Sequence, residues 1–280
     1  MMRKSELVLG TVQFGMNYGI ASQGRPCTSC VKNILQLAYA DGINILDTSA
    51  GYGDAENILG KVLNEIDSPF KIISKYPKSD VSVKDTFFKT LEHLQVAKLY
   101  GYLLHHFEVY RENPDVWKEF LRLKEEGKVL KIGFSLYSPS ELEILLAADV
   151  PFDLVQFPYN IFDRQFEPYF KLLKRRGVEI HVRSTFLQGL FFKDRNHLPE
   201  KLIPLRPYLE ELDCYAKMQG MTVAEVALNY NLQNPYIDGV LIGVDTTEQL
   251  NDNVRSISDK KVELAVNVNE KELLNPVNWK

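Results

Sequence analysis

Eight short apolar runs, each followed by a helix-forming or loop segment, predict an α/β protein built as one closed (β/α)8 barrel of the TIM type across residues 1–280. Three observations carry this expectation. The apolar runs are continuous rather than alternating, as strands buried on both faces of a parallel sheet must be. The strand–helix alternation runs the whole length, with no Gly-, Pro- or Ser-rich linker to mark a domain boundary. The length is close to the ~250 residues typical of such barrels, although it would also suit about two ordinary domains.

The elements follow in order. LVLG (7–10) reads as the first strand, and VKNILQLAYADG (31–42) as the first helix, with apolar residues at helical spacing and an end at Gly42. INILD (43–47) is the second strand, with a helix over 54–65 behind it. KIIS (71–74) leads into a helix near 81–96, LYGYLLH (99–105) into 114–126, and KIGFS (131–135) into 138–147. FDLVQF (152–157) precedes 165–176. VEIHV (178–182) precedes helices at 205–219 and 222–233, and DGVLIG (238–243) precedes the last at 246–256.

Composition narrows the function classes. A hydrophobic content of 45% with 25% charged residues excludes a disordered chain. Thirty-three basic against thirty-seven acidic residues leave a net charge of −4, without the basic excess that nucleic acid would require. The start, MMRKSELVLGT, reaches only three apolar positions before Gly10, too short for a secretory signal. No stretch approaches the ~20 apolar residues of a membrane span. Cys27, Cys30 and Cys214 cannot all pair, which points to a reducing, cytoplasmic setting. Cys27 and Cys30 form a CxxC. A zinc site would want a second pair, and a thioredoxin-like site a strand just before it, so the motif reads as an incidental opening of the first helix.

Barrels of this kind carry their chemistry at the C-terminal ends of the strands. The polar residues there are Asp47, Lys75, His105, Ser135, Gln156 and Arg183. An acid, a lysine and a histidine leave consecutive strands at one level and converge on the mouth. Tyr52, in DTSAGYGDAE, is close enough to Asp47 to fold back over it. The adjacent His106 raises a metal pair, but neighbouring strand residues point to opposite sides and no HxH follows the first strand, so no metal site is expected.

At these residues the chain resembles the aldo-keto reductase superfamily, nicotinamide-dependent carbonyl reductases on a (β/α)8 barrel. The likeness extends from LVLGTVQFG to GVDTTEQLNDN, and INILDTSAGYGDAENILG is its most specific segment. It implies Asp47, Tyr52, Lys75 and His105 as the catalytic set. A carbonyl that accepts hydride must be protonated at oxygen, so the mouth needs an acid. The resemblance gives that part to Tyr52, with Lys75 lowering its pKa, Asp47 holding Lys75, and His105 orienting the carbonyl oxygen.

The resemblance also implies a dinucleotide site. Ser135 and Gln156 match two of the family's three contacts to the nicotinamide carboxamide, while the Asn position in GFSLY is Leu136; Asn160, in QFPYN, is a further polar candidate. Arg183 stands where many relatives stack a tyrosine on the nicotinamide. Gly10 and Thr11 belong to the same site, Ser184, Phe186 and Gly189 fit the pyrophosphate-side loop, and Gly243, Asp245, Thr246, Gln249 and Asn253 fit the loop that closes over the adenosine. Asp245 would either accept a bond from the ribose or cap the helix that starts near Thr246. Members that prefer NADPH carry a basic residue here for the 2′-phosphate, whereas this loop has none before Arg255, so NADH should serve at least as well as NADPH. Arg255 and Lys193 are the cations that could reach in and reverse this.

The expected function is reduction of an aldehyde or ketone, sugar-like in many relatives, by NADH or NADPH. Two alternatives stand beside it. One is a regulatory or sensing barrel that binds the nucleotide with little turnover; the other is a redox-neutral sugar conversion with retained cofactor. At the mouth itself, Phe107 and Trp279 are the residues assigned to the substrate side.

Overall fold

A computed structural model describes residues 6–20 and 24–279; the basic start of the chain, residues 1–5, lies outside them, as do residues 21–23 and 280. Strand β1 (Glu6–Gly10) is followed by the short helix α1 (Val12–Gly15) and by α2 (Thr28–Ala40). Then come β2 (Ile45–Asp47), α3 (Ala55–Leu63), β3 (Lys71–Tyr76), α4 (Val83–Leu94), β4 (Leu99–Leu104), α5 (Phe107–Glu112) and α6 (Val116–Glu125). The second half runs β5 (Val129–Ser135), α7 (Pro139–Ala147), β6 (Leu154–Pro158), α8 (Phe170–Arg175), β7 (Glu179–Arg183), α9 (Arg206–Gln219), α10 (Val223–Leu232), β8 (Gly239–Gly243) and α11 (Thr247–Arg255). All eight strands pair in parallel and in sequence order, and β8 closes back on β1 with Gly10 opposite Gly243.

The expected elements are all present, with differences at their ends. The first long helix begins at Thr28 rather than 31, because Cys27 caps it, its sulfur accepting the Cys30 N–H at 3.1 Å. The two cysteines are joined as a disulfide, where the sequence reading treated their spacing as incidental; Cys214 is free. The second strand keeps only its last three residues, since the N–H of Ile43 goes back to Ala38 to finish α2. The segment expected as a helix at 165–176 starts as a 3-10 turn, Glu167–Tyr169, with Pro168 in it. The short α5 carried no clear periodicity.

Side-chain alternation explains how the barrel builds a site. Val8, Ile45, Ile73, Leu103 and Leu154, each from a different strand, pack together inside the barrel. Successive strand residues face opposite sides, so the residues two positions on lie on the same inner side, one layer nearer the C-terminal end. Those residues are Gly10, Asp47, Lys75 and Gln156, with Ser135, Arg183 and Gly243 at the matching places on β5, β7 and β8; His105 is the first residue past β4. The main core fills the space between strands and helices. A second apolar cluster joins Ile161 and Phe162, just past β6, to Leu187, Leu190 and Phe191, just past β7, and to Val266 and Leu274 near the C-terminus. Among the described residues no helix is long and apolar enough to cross a membrane.

Candidate active site

Asp47 and Lys75 meet at the centre of the mouth. The Lys75 ammonium donates to Asp47 Oδ1 at 2.5 Å and to the Thr48 carbonyl at 2.9 Å, and both side chains are almost completely buried. Gln156 Nε2 donates to the second Asp47 oxygen at 2.8 Å. Thr11 anchors the same corner, its hydroxyl donating to the Asp47 carbonyl at 3.0 Å. Burial pulls the Lys75 pKa down, and Asp47 works against that pull.

Tyr52 is held over this pair by the loop between β2 and α3. Its N–H goes to the Ser49 carbonyl at 3.0 Å and its own carbonyl starts α3 through Ala55 at 3.2 Å. Two glycines allow the approach. A Cβ at Gly15 would stand 1.8 Å from the Tyr52 carbonyl oxygen, and Gly53 sits at φ +57° against the backbone of Gly15. The ring lies edge-on to His105 at 5.5 Å between centroids, with the Lys75 ammonium 5.1 Å from its centre.

The electrostatics depart from expectation. The sequence reading has Lys75 lowering the Tyr52 pKa, yet burial, followed by the charge of Asp47, holds it well above the ordinary value. Burial is the larger cause, and the lysine's charge is paired with the equally dry Asp47. Burial, then the Lys75 charge, keep His105 well below its usual pKa, so its imidazole is neutral near pH 7. His106 does not point away from His105. The rings stack at 4.6 Å, because β4 ends at Leu104 and strand alternation no longer applies. Among the described residues no group of three His, Cys, Asp or Glu could hold a metal ion.

From this corner a cavity of about 470 Å³ runs outward to α11. Asp47, Tyr52 and Gln156 line its deep end together with Arg183; Gly10, Thr11 and Gly243 line the β1–β8 side; Ser184, Phe186 and Gly189 form one wall; Asp245, Gln249 and Asn253 form the far end. Lys75, His105, Ser135 and Thr246 are not among its lining residues. Ser135 is buried beside Gln156 in the β5–β6 ladder, and the Thr246 hydroxyl caps α11 by accepting the Gln249 N–H. The cap on α11 is therefore Thr246 rather than Asp245, and Asp245 lines the cavity. Leu136 is fully buried and lends only its carbonyl, which accepts from Arg183 at 3.2 Å, while the guanidinium stacks on Tyr137 at 4.2 Å. Asn160 is not a cavity residue; it donates to the Ser184 carbonyl and accepts from Phe162 and Asp163, so it shapes the loops. Neither Phe107 nor Trp279 lines the cavity. Phe107 is in the main core, and Trp279 packs on the second cluster with its N–H on Leu273.

Several cavity residues carry no sequence signal. Gln13 lies against Gly243, where a Cβ would be 2.4 Å from its amide nitrogen, and its own Oε1 is buried without a partner. Tyr18 accepts from Gln188 at 2.8 Å, and Ile20 N–H reaches the Gln188 carbonyl, so the loop after α1 is tied to the loop after β7. Asp252 was findable, since it shares a helical face with Gln249 and Asn253. The β7 loop holds Ser184, Leu187 and Gln188 at positive φ, a conformation that non-glycine residues keep only under constraint and that clusters at ligand sites.

The residues present fit a dinucleotide. The volume is within the usual range of ligand cavities. The paired glycines leave the floor open, and Gln13 and Gln156 offer amide groups. Arg183 is the one cation among the described lining residues, and Asp245 and Asp252 are at the opposite end. Arg255 and Lys193 do not line it.

The comparisons with known proteins agree with this geometry. The aldo/keto reductase family model matches residues 6–269. The chain is 24% identical over 260 residues to the uncharacterized oxidoreductase YqkF of Bacillus subtilis, covering 82% of this chain and 83% of that protein. It is 26% identical over 248 residues to L-galactose dehydrogenase of Arabidopsis thaliana, covering 79% and 76% of the two chains. The holo structure of the aldo-keto reductase AKR11C1 from Bacillus halodurans shares the barrel, with a TM-score of 0.73 at 21% identity over 98% of this chain and 95% of that one. An oxidoreductase barrel with this mouth, matched by the family model over nearly its whole length, belongs to the aldo/keto reductase family.

Proposed function

We propose that this chain reduces the carbonyl group of a small aldehyde or ketone to an alcohol, with Tyr52 as proton donor. The observation that carries the reading is that Tyr52 and Asp47 line the deep end of one dinucleotide-sized cavity, with Lys75 paired to Asp47 and His105 edge-on to the Tyr52 ring. NADH or NADPH, when bound, would supply the hydride for the carbonyl carbon. The residues do the rest. Tyr52 keeps its proton at neutral pH and releases it to the oxygen only as negative charge develops there. Neutral His105 offers a hydrogen bond to the same oxygen. Lys75, neutralised by Asp47, places a positive end near the phenol without drawing a water-borne counterion into the site. Gln13, Gln156, Gly10 and Gly243 would seat the nucleotide, and Arg183, stacked on Tyr137, would stand at the deep end.

NADH serves at least as well as NADPH in this reading. A 2′-phosphate would bring up to about two negative charges to the α11 end of the cavity, where the described lining residues offer Asp245 and Asp252 and no cation. The substrate is a polyhydroxylated, sugar-like carbonyl compound, supported by the similarity to a plant L-galactose dehydrogenase. The test is a panel of aldehydes and keto-sugars assayed with each nucleotide. Turnover of at least one carbonyl, lost on Tyr52→Phe, supports the reading; tight nucleotide binding with no turnover across the panel favours a sensing barrel instead.

A further inference from the structure

Ser49 sits two residues beyond Asp47, is almost fully buried, and has no part in the function described so far. Its hydroxyl oxygen lies 3.0 Å from His105 Nδ1 and accepts the Gly51 N–H at 3.1 Å. Among the described residues the only other acceptor within reach is the Lys75 carbonyl, at 3.4 Å, and that carbonyl already accepts the Ala50 N–H. The hydroxyl has one proton to give. An O–H···O distance of 3.4 Å is beyond the normal range, whereas Nδ1 is well placed and has no other donor among the described residues. The imidazole carries a single proton, so a bond received at Nδ1 puts that proton on Nε2, which has no partner among the described residues and is not sealed in the interior.

We propose that Ser49 is a positioning residue that donates to His105 Nδ1, fixes the Nε2–H tautomer, and thereby makes the open nitrogen of His105 a donor to the substrate's carbonyl oxygen. The other tautomer would present a lone pair to the oxygen's lone pairs and would repel the charge that develops there. The tautomer is a property of the protein alone; only its catalytic consequence rests on the carbonyl-reduction reading.

The direct experiment is long-range 1H–15N correlation NMR of the whole chain labelled at its five histidines, with His105 assigned from the signals lost in His105→Gln. The wild type should show the Nε2–H pattern at neutral pH. Ser49→Ala should shift His105 to the Nδ1–H form or a mixture, and Ser49→Thr should restore the wild-type pattern. In parallel, Ser49→Ala should lower kcat about tenfold, the equivalent of one hydrogen bond, with nucleotide Kd unchanged. An Nδ1–H tautomer in the wild type, or an unaltered tautomer in Ser49→Ala, overturns the proposal. An Nε2–H signature in a protein that turns over no carbonyl would instead overturn the carbonyl-reduction reading and leave the tautomer assignment standing.

Discussion

The two ends of the barrel each hold a lysine–carboxylate pair, and they use it differently. At the mouth, Lys75 and Asp47 are 0% and 2% exposed, and beside them stand Tyr52, which lines the cavity, and His105, whose Nε2 has no partner among the described residues. At the opposite end, Glu179 accepts from Lys131, from the Tyr100 hydroxyl at 2.9 Å and from His181 at 2.8 Å, while Lys131 remains 27% exposed. The His181 ring fills the space over Gly239, where a Cβ would lie 2.8 Å from it. In the lower cluster the Glu179 carboxylate is surrounded by donors, and the His181 ring helps to fill the barrel. The upper pair is drier yet surrounded by side chains with unused hydrogen-bonding capacity. A fully desolvated ion pair is a poor way to gain stability, so its presence beneath an open pocket marks the end where chemistry is done.

Substitutions at the two ends should separate these roles, and the largest effect belongs to the mouth. Tyr52→Phe should lower the rate of reduction by about 10²–10⁴-fold, the usual cost of losing a general acid, with little change in nucleotide affinity. Single-turnover hydride transfer checks it; retention of more than about a tenth of the wild-type rate would remove Tyr52 from the role. The wild-type pH profile sharpens the same point. An acid works while protonated, and burial with Asp47 holds Tyr52 above its ordinary value, so the rate of reduction should show no tyrosine limb below about pH 10. A fall near pH 8 would mean that bound nucleotide or Lys75 lowers the tyrosine after all.

Next in size is the stability of the two pairs. Lys75→Met leaves Asp47 buried with only Gln156 as a partner and should cost about 3–5 kcal/mol in denaturant unfolding. Lys131→Met, at a partly wet site where Glu179 keeps Tyr100 and His181, should cost distinctly less, about 1 kcal/mol or below. Equal losses would break the contrast drawn between the ends.

Glu179 gives a smaller, pH-dependent signal. Burial alone would raise its pKa, but the bonds from His181 and Lys131 outweigh it and leave the carboxyl well below the usual range. A carboxylate with a depressed folded pKa contributes stability that is present above its unfolded value, about 4.3, and is lost as the pH falls below it. Glu179→Gln should therefore flatten the acid side of the stability curve and leave activity at neutral pH within a few-fold of wild type. An unchanged acid limb would show that the lower cluster is not linked to proton uptake.

The smallest expected difference concerns the nucleotide. The Kd values for NADPH and NADH should lie within tenfold, about 1.4 kcal/mol, or favour NADH. Tighter NADPH binding than that would require a cation that reaches the α11 end only when the loops close.

Much of this was legible in the chain. The continuous apolar runs and their even spacing could be met only by parallel strands covered on both sides, and period-two alternation then lifts Asp47, Lys75 and Gln156 into the layer above Ile45, Ile73 and Leu154. That follows from local geometry, since neither backbone pleat nor covalent spacing depends on what packs outside. Capping is local too, and Thr246 took the cap with its own hydroxyl. What lay beyond reach were effects that depend on distance through space. The tie between Tyr18 and Gln188 joins residues 170 apart. The use of Asn160 on loop backbone rather than in the cavity, and the stacking of His105 on His106 where the strand has already ended, depend on how loops settle against one another. The sign of the Tyr52 shift was set the same way. Spacing brings an acid and a lysine to one mouth, but only their separation, dryness and mutual pairing decide which charge the phenol feels, because Coulomb energy and desolvation vary with position in three dimensions and not with position along the chain.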